Sequence, residues 1–596
     1  MRTPHASDEE QAIDTVAPVH HVPVGLPPGR TDRRPRPGLW NAAVLVVLLG
    51  VFAALVWNRR WVSDDGLIVL RTVRNLLAGD GPVFNAGERV EANTSTLWTY
   101  LLAIPGLVPG ISLNWAAVVL GLLLSLAGLG FAVDAARRLH RARLILPAGA
   151  LVVLVLPPFW DFGTSGLETG LITGWLGLSW WLLVRRLQVR RGEAAGRAWP
   201  LAVVVGLAPL VRPDLALAGL VVAAAFVVLE WRRGVRRLLA LAAVAAVVPV
   251  GYEIFRMGYY GLLVPSTALA KEASDSRWDQ GGWYLLDLLE TYRLWFAGAG
   301  VALVALALLS RRGRTGPVPV GTRGATAVVA LAPVVAGLLL GLYVTRVGGD
   351  FMHGRMLLPA LFSLLLPVMV VPATRWALVP VLGTLVWAAF CLTSLRPAYG
   401  EHLGPHWIAN ERLYYVLLLG HPHPVTAEDY AAHPMVGEGV ARVGAAPGSS
   451  LAIVGGGQWY VYPADSARNT LVWLNLGVAG ELAPLDVRVL DGVGLVNPVA
   501  GHATGVPGGR IGHDKDLLPE WFLADAGVRG DTGFVGPAFV DDARRALSCP
   551  ATREVLASYR DPLTADRFRD NLTGAVERTS YRYPREAAEA AARCGA

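Results

Sequence analysis

Two adjacent carboxylates, Asp64 and Asp65, stand just past the first apolar stretch of this 596-residue chain, in the segment Trp61-Val-Ser-Asp-Asp-Gly66. Paired carboxylates at a bilayer boundary can serve as general base, nucleophile or metal ligand for a reaction on a lipid-anchored substrate. A plainer reading makes Ser63 an N-cap followed by two acids that complement a helix dipole. Leu67, Leu70, Val73 and Leu77 then mark one apolar helical face and Arg71 and Arg74 another, so this helix is expected to lie on the outer membrane surface.

A second group, Arg346, Asp350, His353 and Arg355, gathers within ten residues around Gly348-Gly-Asp-Phe-Met-His-Gly-Arg355. Guanidinium groups bind phosphate oxygens bidentately, which makes Arg346, His353 and Arg355 candidates for a lipid phosphate. The alternative is a topogenic anchor with a structural Asp–Arg pair. Lys271 is a further phosphate candidate, although a snorkelling lysine explains it equally well. Glu91 and Asn93 supply hydrogen-bonding groups for sugar hydroxyls, and Trp98 an aromatic face. Glu168 and Asp350 are added as sugar-side candidates lining a cavity. The chain has no HExxH, no Cys/His zinc spacing, no GxSxG and no Walker motif, which weakens zinc-hydrolase and ATP-driven readings. No cofactor is required by these motifs; a divalent cation enters only as an alternative role for one aspartate.

The elements that must carry these groups are membrane helices. The chain is 53% hydrophobic and 17% charged, outside the range of soluble globular proteins. Spans of about 20 residues or slightly fewer are expected near 40–57, 112–134, 143–158, 167–184, 199–212, 215–231, 238–255, 293–310, 325–345, 356–371 and 376–395, eleven in all. The short basic loops at 137–143, 185–191, 231–237 and 311–314 belong in the cytoplasm by the positive-inside rule. They agree with one another if 96–110, which ends in Pro105 and Pro109-Gly110, is re-entrant or interfacial. Every polar cluster then faces outward.

Three regions follow: a disordered cytoplasmic tail over 1–37, a transmembrane catalytic region over 38–395, and a soluble α/β domain over 396–596 on the outer side. In the last, 451–454, 470–473 and 487–490 read as strands, and 542–547, 553–559 and 585–593 as helices. Gly455-Gly-Gly457 reads as a tight turn rather than a phosphate cradle. If that domain is extracytoplasmic, Cys549 and Cys594 are expected to pair. Nearly all basic residues are arginines, and those of the membrane half cluster at span ends, so nucleic acid is not an expected partner.

The Asp pair in the first outer loop, the many spans and the trailing outer domain together resemble the GT-C superfamily of polyprenyl-phosphate-sugar glycosyltransferases. Trp61-Val-Ser-Asp-Asp-Gly66, the segment Asn85 to Trp98, Phe162-Gly-Thr-Ser-Gly-Leu-Glu168 and Gly348 to Arg355 are more closely similar to the actinobacterial arabinofuranosyltransferase B family. The resemblance implies transfer of arabinofuranose from decaprenyl-phosphoryl-arabinofuranose to the ends of arabinogalactan and lipoarabinomannan, as an arabinan acceptor, in a terminal β-(1→2) linkage. It places Asp64 and Asp65 at the anomeric carbon. A β-linked donor and product mean net retention, through either a glycosylated Asp or a front-face departure.

Two rival classes are set against this reading. A transporter or flippase of a lipid-linked sugar predicts charges at mid-membrane and paired broken helices. A glycan-binding scaffold leaves both acidic clusters without a role.

Overall fold

The computed structural model describes residues 37–272, 276–311, 322–509 and 512–595. The expected N-terminal tail and most of the basic loop at 311–314 lie outside the described residues.

Six helices among the described residues are long and apolar enough to cross a membrane: Gly38–Trp57, Leu113–His140, Pro213–Arg233, Val235–Tyr260, Arg323–Arg346 and Arg375–Ser394. A seventh arises if Trp278–Thr291 and Leu294–Leu306, bent by 80° at their junction, count as one span. The expected count of eleven is therefore not confirmed.

The other expected spans take different forms, for local reasons. The stretch 143–158 is cut into a strand, Ile145–Pro147, and two short helices, Gly149–Val155 and Pro157–Phe162, because Pro157 and Pro158 have no N–H to continue the first helix. The stretch 199–212 breaks into Trp199–Gly206 and Ala208–Val211. The stretch 356–371 forms the short helix Leu358–Leu365 and ends in the strand Val370–Pro372, which pairs antiparallel with Ile145–Pro147. The segment at 96–110 holds only the eleven-residue helix Thr96–Gly106, with Pro105 inside it.

The helix Thr169–Arg190 is buried along most of its length against Leu113–His140. A Cβ on Gly170 would sit 2.2 Å from the Gly121 carbonyl oxygen, and one on Gly177 2.3 Å from that of Gly128. Small residues at that spacing let two backbones approach more closely than any larger side chain allows.

After the last long helix the chain adds a four-stranded sheet in the order Gln458–Pro463, Ser450–Gly455, Thr470–Val472, Arg488–Leu490, with the first pair antiparallel and the others parallel. The three expected strands are present, and Gln458–Pro463 adds a fourth. Gly456 and Gly457, at φ 54° and 78°, make the two-residue hairpin that joins the first pair. The expected helices appear as Pro537–Leu547, Pro550–Arg560 and Ala587–Ala592, and Cys549 and Cys594 form a disulfide.

One hydrophobic core runs from the membrane helices, through Phe52, Trp61 and Leu70, into Ile408, Tyr415, Leu476 and Val489 without a break. A second core, around Leu451, Trp521 and Tyr583, fills the far side of the sheet. The helix Leu476–Leu482 packs directly against Asp64–Ala78. Arg71, fully buried, ties these two helices by donating to the carbonyls of Gly480, Ala483, Pro484 and Val487 at 2.7–3.1 Å.

Candidate active site around Asp64 and Asp65

Asp64 and Asp65 open the helix Asp64–Ala78 behind Ser63, whose Oγ accepts from Gly66 N at 3.0 Å. Ser63 also donates, from N at 2.8 Å and from Oγ at 3.0 Å, to the Ser165 carbonyl. A Cβ on Gly66 would lie 2.5 Å from the same oxygen, so the segment Phe162 to Gly166 is pressed against the helix start. The N-cap reading is thus correct, and it accounts for where the acids sit rather than for what they do.

The two carboxyls diverge, as adjacent positions about 100° apart on a helix must. Asp65 Oδ2 accepts from Arg355 Nη1 at 3.0 Å, and its side chain stays 23% exposed, within reach of a ligand. Asp64 turns the other way. Its Oδ1 accepts from Val478 N at 2.8 Å, it takes a hydrogen bond from Tyr415, and its own N–H donates to Glu411 Oε1 at 3.2 Å.

The surroundings separate the two acids electrostatically. Burial pushes Asp64 up from 3.8 to about 7, helped by the charge on Asp65 and opposed by the Val478 N–H. Burial acts on Asp65 in the same sense, but Arg355, Lys271 and His513 outweigh it and hold Asp65 below the ordinary carboxylate range. Glu411 is driven well above its usual range, first by burial and then by Asp65 and Asp64.

Arg355 is the hinge of the cluster. Its Nε lies 2.6 Å from Asp350 Oδ2, so Asp350 orients the guanidinium, the structural Asp–Arg pair anticipated as the alternative to phosphate binding. The loop carrying both is fixed by Tyr284, whose buried hydroxyl donates to the Met352 carbonyl at 2.8 Å and accepts from Met356 N at 3.0 Å. Gly349, at φ 79°, lies where a Cβ would meet the Tyr284 ring at 2.3 Å.

His353 points elsewhere. Its Nδ1 meets Asp287 Oδ2 at 2.5 Å and the Tyr399 hydroxyl at 2.9 Å, and its Nε2 meets the Tyr292 hydroxyl at 3.0 Å. It lines a crevice of about 370 Å³, open mouth included, with Tyr292, Glu411, Arg412, Arg59 and Arg396. Lys271 acts on Asp65 by charge, its stem passing Gly512. Arg346 closes the helix Thr322–Arg346, and its carbonyl accepts from Arg277 N at 2.7 Å.

The sugar-side candidates are committed to other partners. Glu91 forms a buried ion pair with Arg256, 2.6 Å from Nε, and accepts from the Tyr252 hydroxyl at 2.7 Å. Trp98 is fully buried and donates from Nε1 to the Gly166 carbonyl at 2.7 Å, so it braces the loop beside Ser165 and presents no aromatic face. Glu168 lies 3.6 Å from Arg212, which is itself held by Asp214 at 2.6 Å, and adds negative charge near Arg355. Asn93 donates to Thr99 Oγ1 at 3.3 Å and lines a separate polar crevice with Glu91, Tyr100 and Tyr252.

Glu411, Tyr415 and the Gly477–Val478 amides escape sequence reasoning. They come from a stretch read as a separate soluble domain, and Asn410-Glu411-Arg412 carries no motif. Asp287, Tyr292 and Tyr399 were equally silent, scattered at span ends. Among the described residues no group of three or more His, Cys, Asp or Glu side chains is arranged to hold a metal ion.

Residues 458–581 match the model of the AftB family C-terminal domain. A Mycobacterium tuberculosis protein named terminal beta-(1->2)-arabinofuranosyltransferase is 40% identical, over 94% of this chain and 98% of its own length. A Corynebacterium glutamicum protein of the same name is 39% identical, over 88% of this chain and 84% of its own. No solved structure matches.

Proposed function

The chain belongs to the AftB family of terminal β-(1→2)-arabinofuranosyltransferases and is a membrane glycosyltransferase of arabinofuranosyl groups, and from that premise we propose its donor, acceptor and site. The donor is decaprenyl-phosphoryl-arabinofuranose. The acceptor is a non-reducing arabinan end of arabinogalactan or lipoarabinomannan, joined at its 2-hydroxyl on the periplasmic face. The N-terminus is cytoplasmic, the region 38–395 houses the reaction, and the region from 396 lies outside with it.

The observation that carries this reading is the Arg355–Asp65 ion pair, which brings a guanidinium, a group suited to phosphate, against the acidic pair from a segment 290 residues away in the chain. Donor phosphate competes for Arg355, with Lys271 adding charge, and so frees Asp65 at the anomeric carbon. Asp65, held ionised, is the nucleophile. It bonds to C1 while the C1–O bond breaks, and decaprenyl phosphate leaves with the electron pair. Asp64, balanced near neutrality, then takes the proton of the acceptor 2-hydroxyl. That oxygen attacks C1 and expels Asp65, and two inversions give net retention. His353, turned toward Asp287, Tyr292 and Tyr399, and Arg346, at the end of its helix, are left outside this phosphate contact. Glu91, Asn93, Trp98 and Glu168 shape the sugar side by bracing its loops.

Two outcomes test this. A 2-fluoro-arabinofuranosyl donor should leave a mass increment on the peptide bearing Asp65. An increment nowhere in the protein, with β product still formed, would move the mechanism to front-face departure.

A further inference from the structure

The helix Glu411–Leu419 aims two side chains, one turn apart, at Asp64. Tyr415 reaches its carboxyl, and Glu411 Oε1 accepts its main-chain N–H at 3.2 Å. Asp64 N lies in the first turn of its own helix, where N–H groups have no intrahelical partner, so Glu411 satisfies a donor that would otherwise be orphaned. The other oxygen, Oε2, is buried without a hydrogen-bond partner among the described residues, and the side chain lines the crevice that holds His353 and Arg412. An ionised carboxylate there would crowd a third negative charge against Asp64 and Asp65, with Arg355 already shared by Asp65 and Asp350. A neutral acid avoids this: it accepts through one oxygen and turns its O–H toward the crevice with the other.

We propose that Glu411 is a positioning residue for the transfer, acting as the neutral acid through Asp64: it fixes the first turn of the reacting helix and keeps extra charge away from the Asp pair. This rests on the arabinofuranosyltransferase reading given above. It assigns part of the reaction centre to the region beyond residue 396.

The Gln variant imitates the neutral acid at both oxygens, as acceptor and donor, whereas Ala removes both. Purified wild-type protein, Glu411→Gln and Glu411→Ala are compared with a synthetic polyprenyl-phosphoryl-arabinofuranose and a short arabinoside, and thermal unfolding is followed in parallel. Glu411→Gln should keep kcat within about 3-fold, while Glu411→Ala should lose about 100-fold in kcat with donor KM little changed. Should the Ala variant fail to fold, Glu411→Asp, one methylene short of the Asp64 N–H, takes its place. A Gln variant as impaired as Ala, or an Ala variant with wild-type kcat, overturns the proposal.

A second readout is independent of turnover. The infrared carbonyl band of a protonated carboxylic acid should persist after Asp64 has ionised near 7 and vanish in Glu411→Gln. Its absence from the wild type overturns the proposal even if transfer is robust. Its presence without any transfer would count against the arabinofuranosyltransferase reading alone.

Discussion

The chemistry of the site depends on two neighbouring aspartates being unlike. Asp64 is clamped by a main-chain amide while Asp65 meets Arg355, and both residues stay partly exposed. Because the Asp64 carboxyl rises to about 7 in the folded protein, its neutral form is the one the fold prefers. Its contribution to stability is therefore full below the ordinary value of 3.8 and is lost as pH rises through about 7. In the proposed mechanism the same ionisation creates the base. Accordingly kcat/KM should climb with pH through about 7 and level off well above it, while wild-type protein loses stability between 3.8 and about 7 relative to Asp64→Asn. A pH–rate profile without an inflection near 7, or an Asp64→Asn variant with no relative gain in Tm, would remove Asp64 as the base. Both aspartates were legible in the sequence, because an acidic pair at a span boundary is conspicuous. Their difference was not, since it comes from Val478, Glu411 and Arg355, all distant in the chain.

At the scale of elements, the contact between Asp64–Ala78 and Leu476–Leu482 decides whether the site assembles. Gly477 sits so close that a Cβ would lie 1.8 Å from the Asp64 carbonyl oxygen, so Gly477→Ala must push the two helices apart. We expect that substitution to cost about 1–3 kcal/mol of stability and about 100-fold in kcat, measured by thermal unfolding and transfer assay. Full activity in a folded Gly477→Ala protein would show that this contact does not position Asp64. The long apolar helices were readable from composition alone. Among the broken segments at 143–158, 199–212 and 356–371, Pro157 and Pro158 were visible as breakers, but an apolar run gives no sign that Ile145–Pro147 will pair with Val370–Pro372. Trp98 misleads for a related reason: an aromatic next to polar residues looks available until its indole N–H is found on the Gly166 carbonyl.

For the whole molecule, the composition shift near Arg396 marks where membrane helices end, while the hydrophobic core continues past it. Charge reinforces that continuity. Glu88, in the loop before the helix Thr96–Gly106, lies 2.8 Å from Arg488 and 3.1 Å from Arg560, and Asp525 lies 2.8 Å from both arginines. Glu88→Ala leaves two cations facing a single carboxylate and should destabilise the protein by about 3–5 kcal/mol, read as a lowered Tm that Glu88→Gln partly restores. An unchanged Tm would mean that the loop and the C-terminal region are held by packing alone. The measurement that tests the central claim most directly is transfer from synthetic polyprenyl-phosphoryl-arabinofuranose to a short arabinoside, with the product anomer read by NMR for wild type, Asp64→Asn and Asp65→Asn. The account predicts a β-(1→2) product from the wild type and none from either variant; a wild-type α product, or β product undiminished in Asp65→Asn, would contradict it.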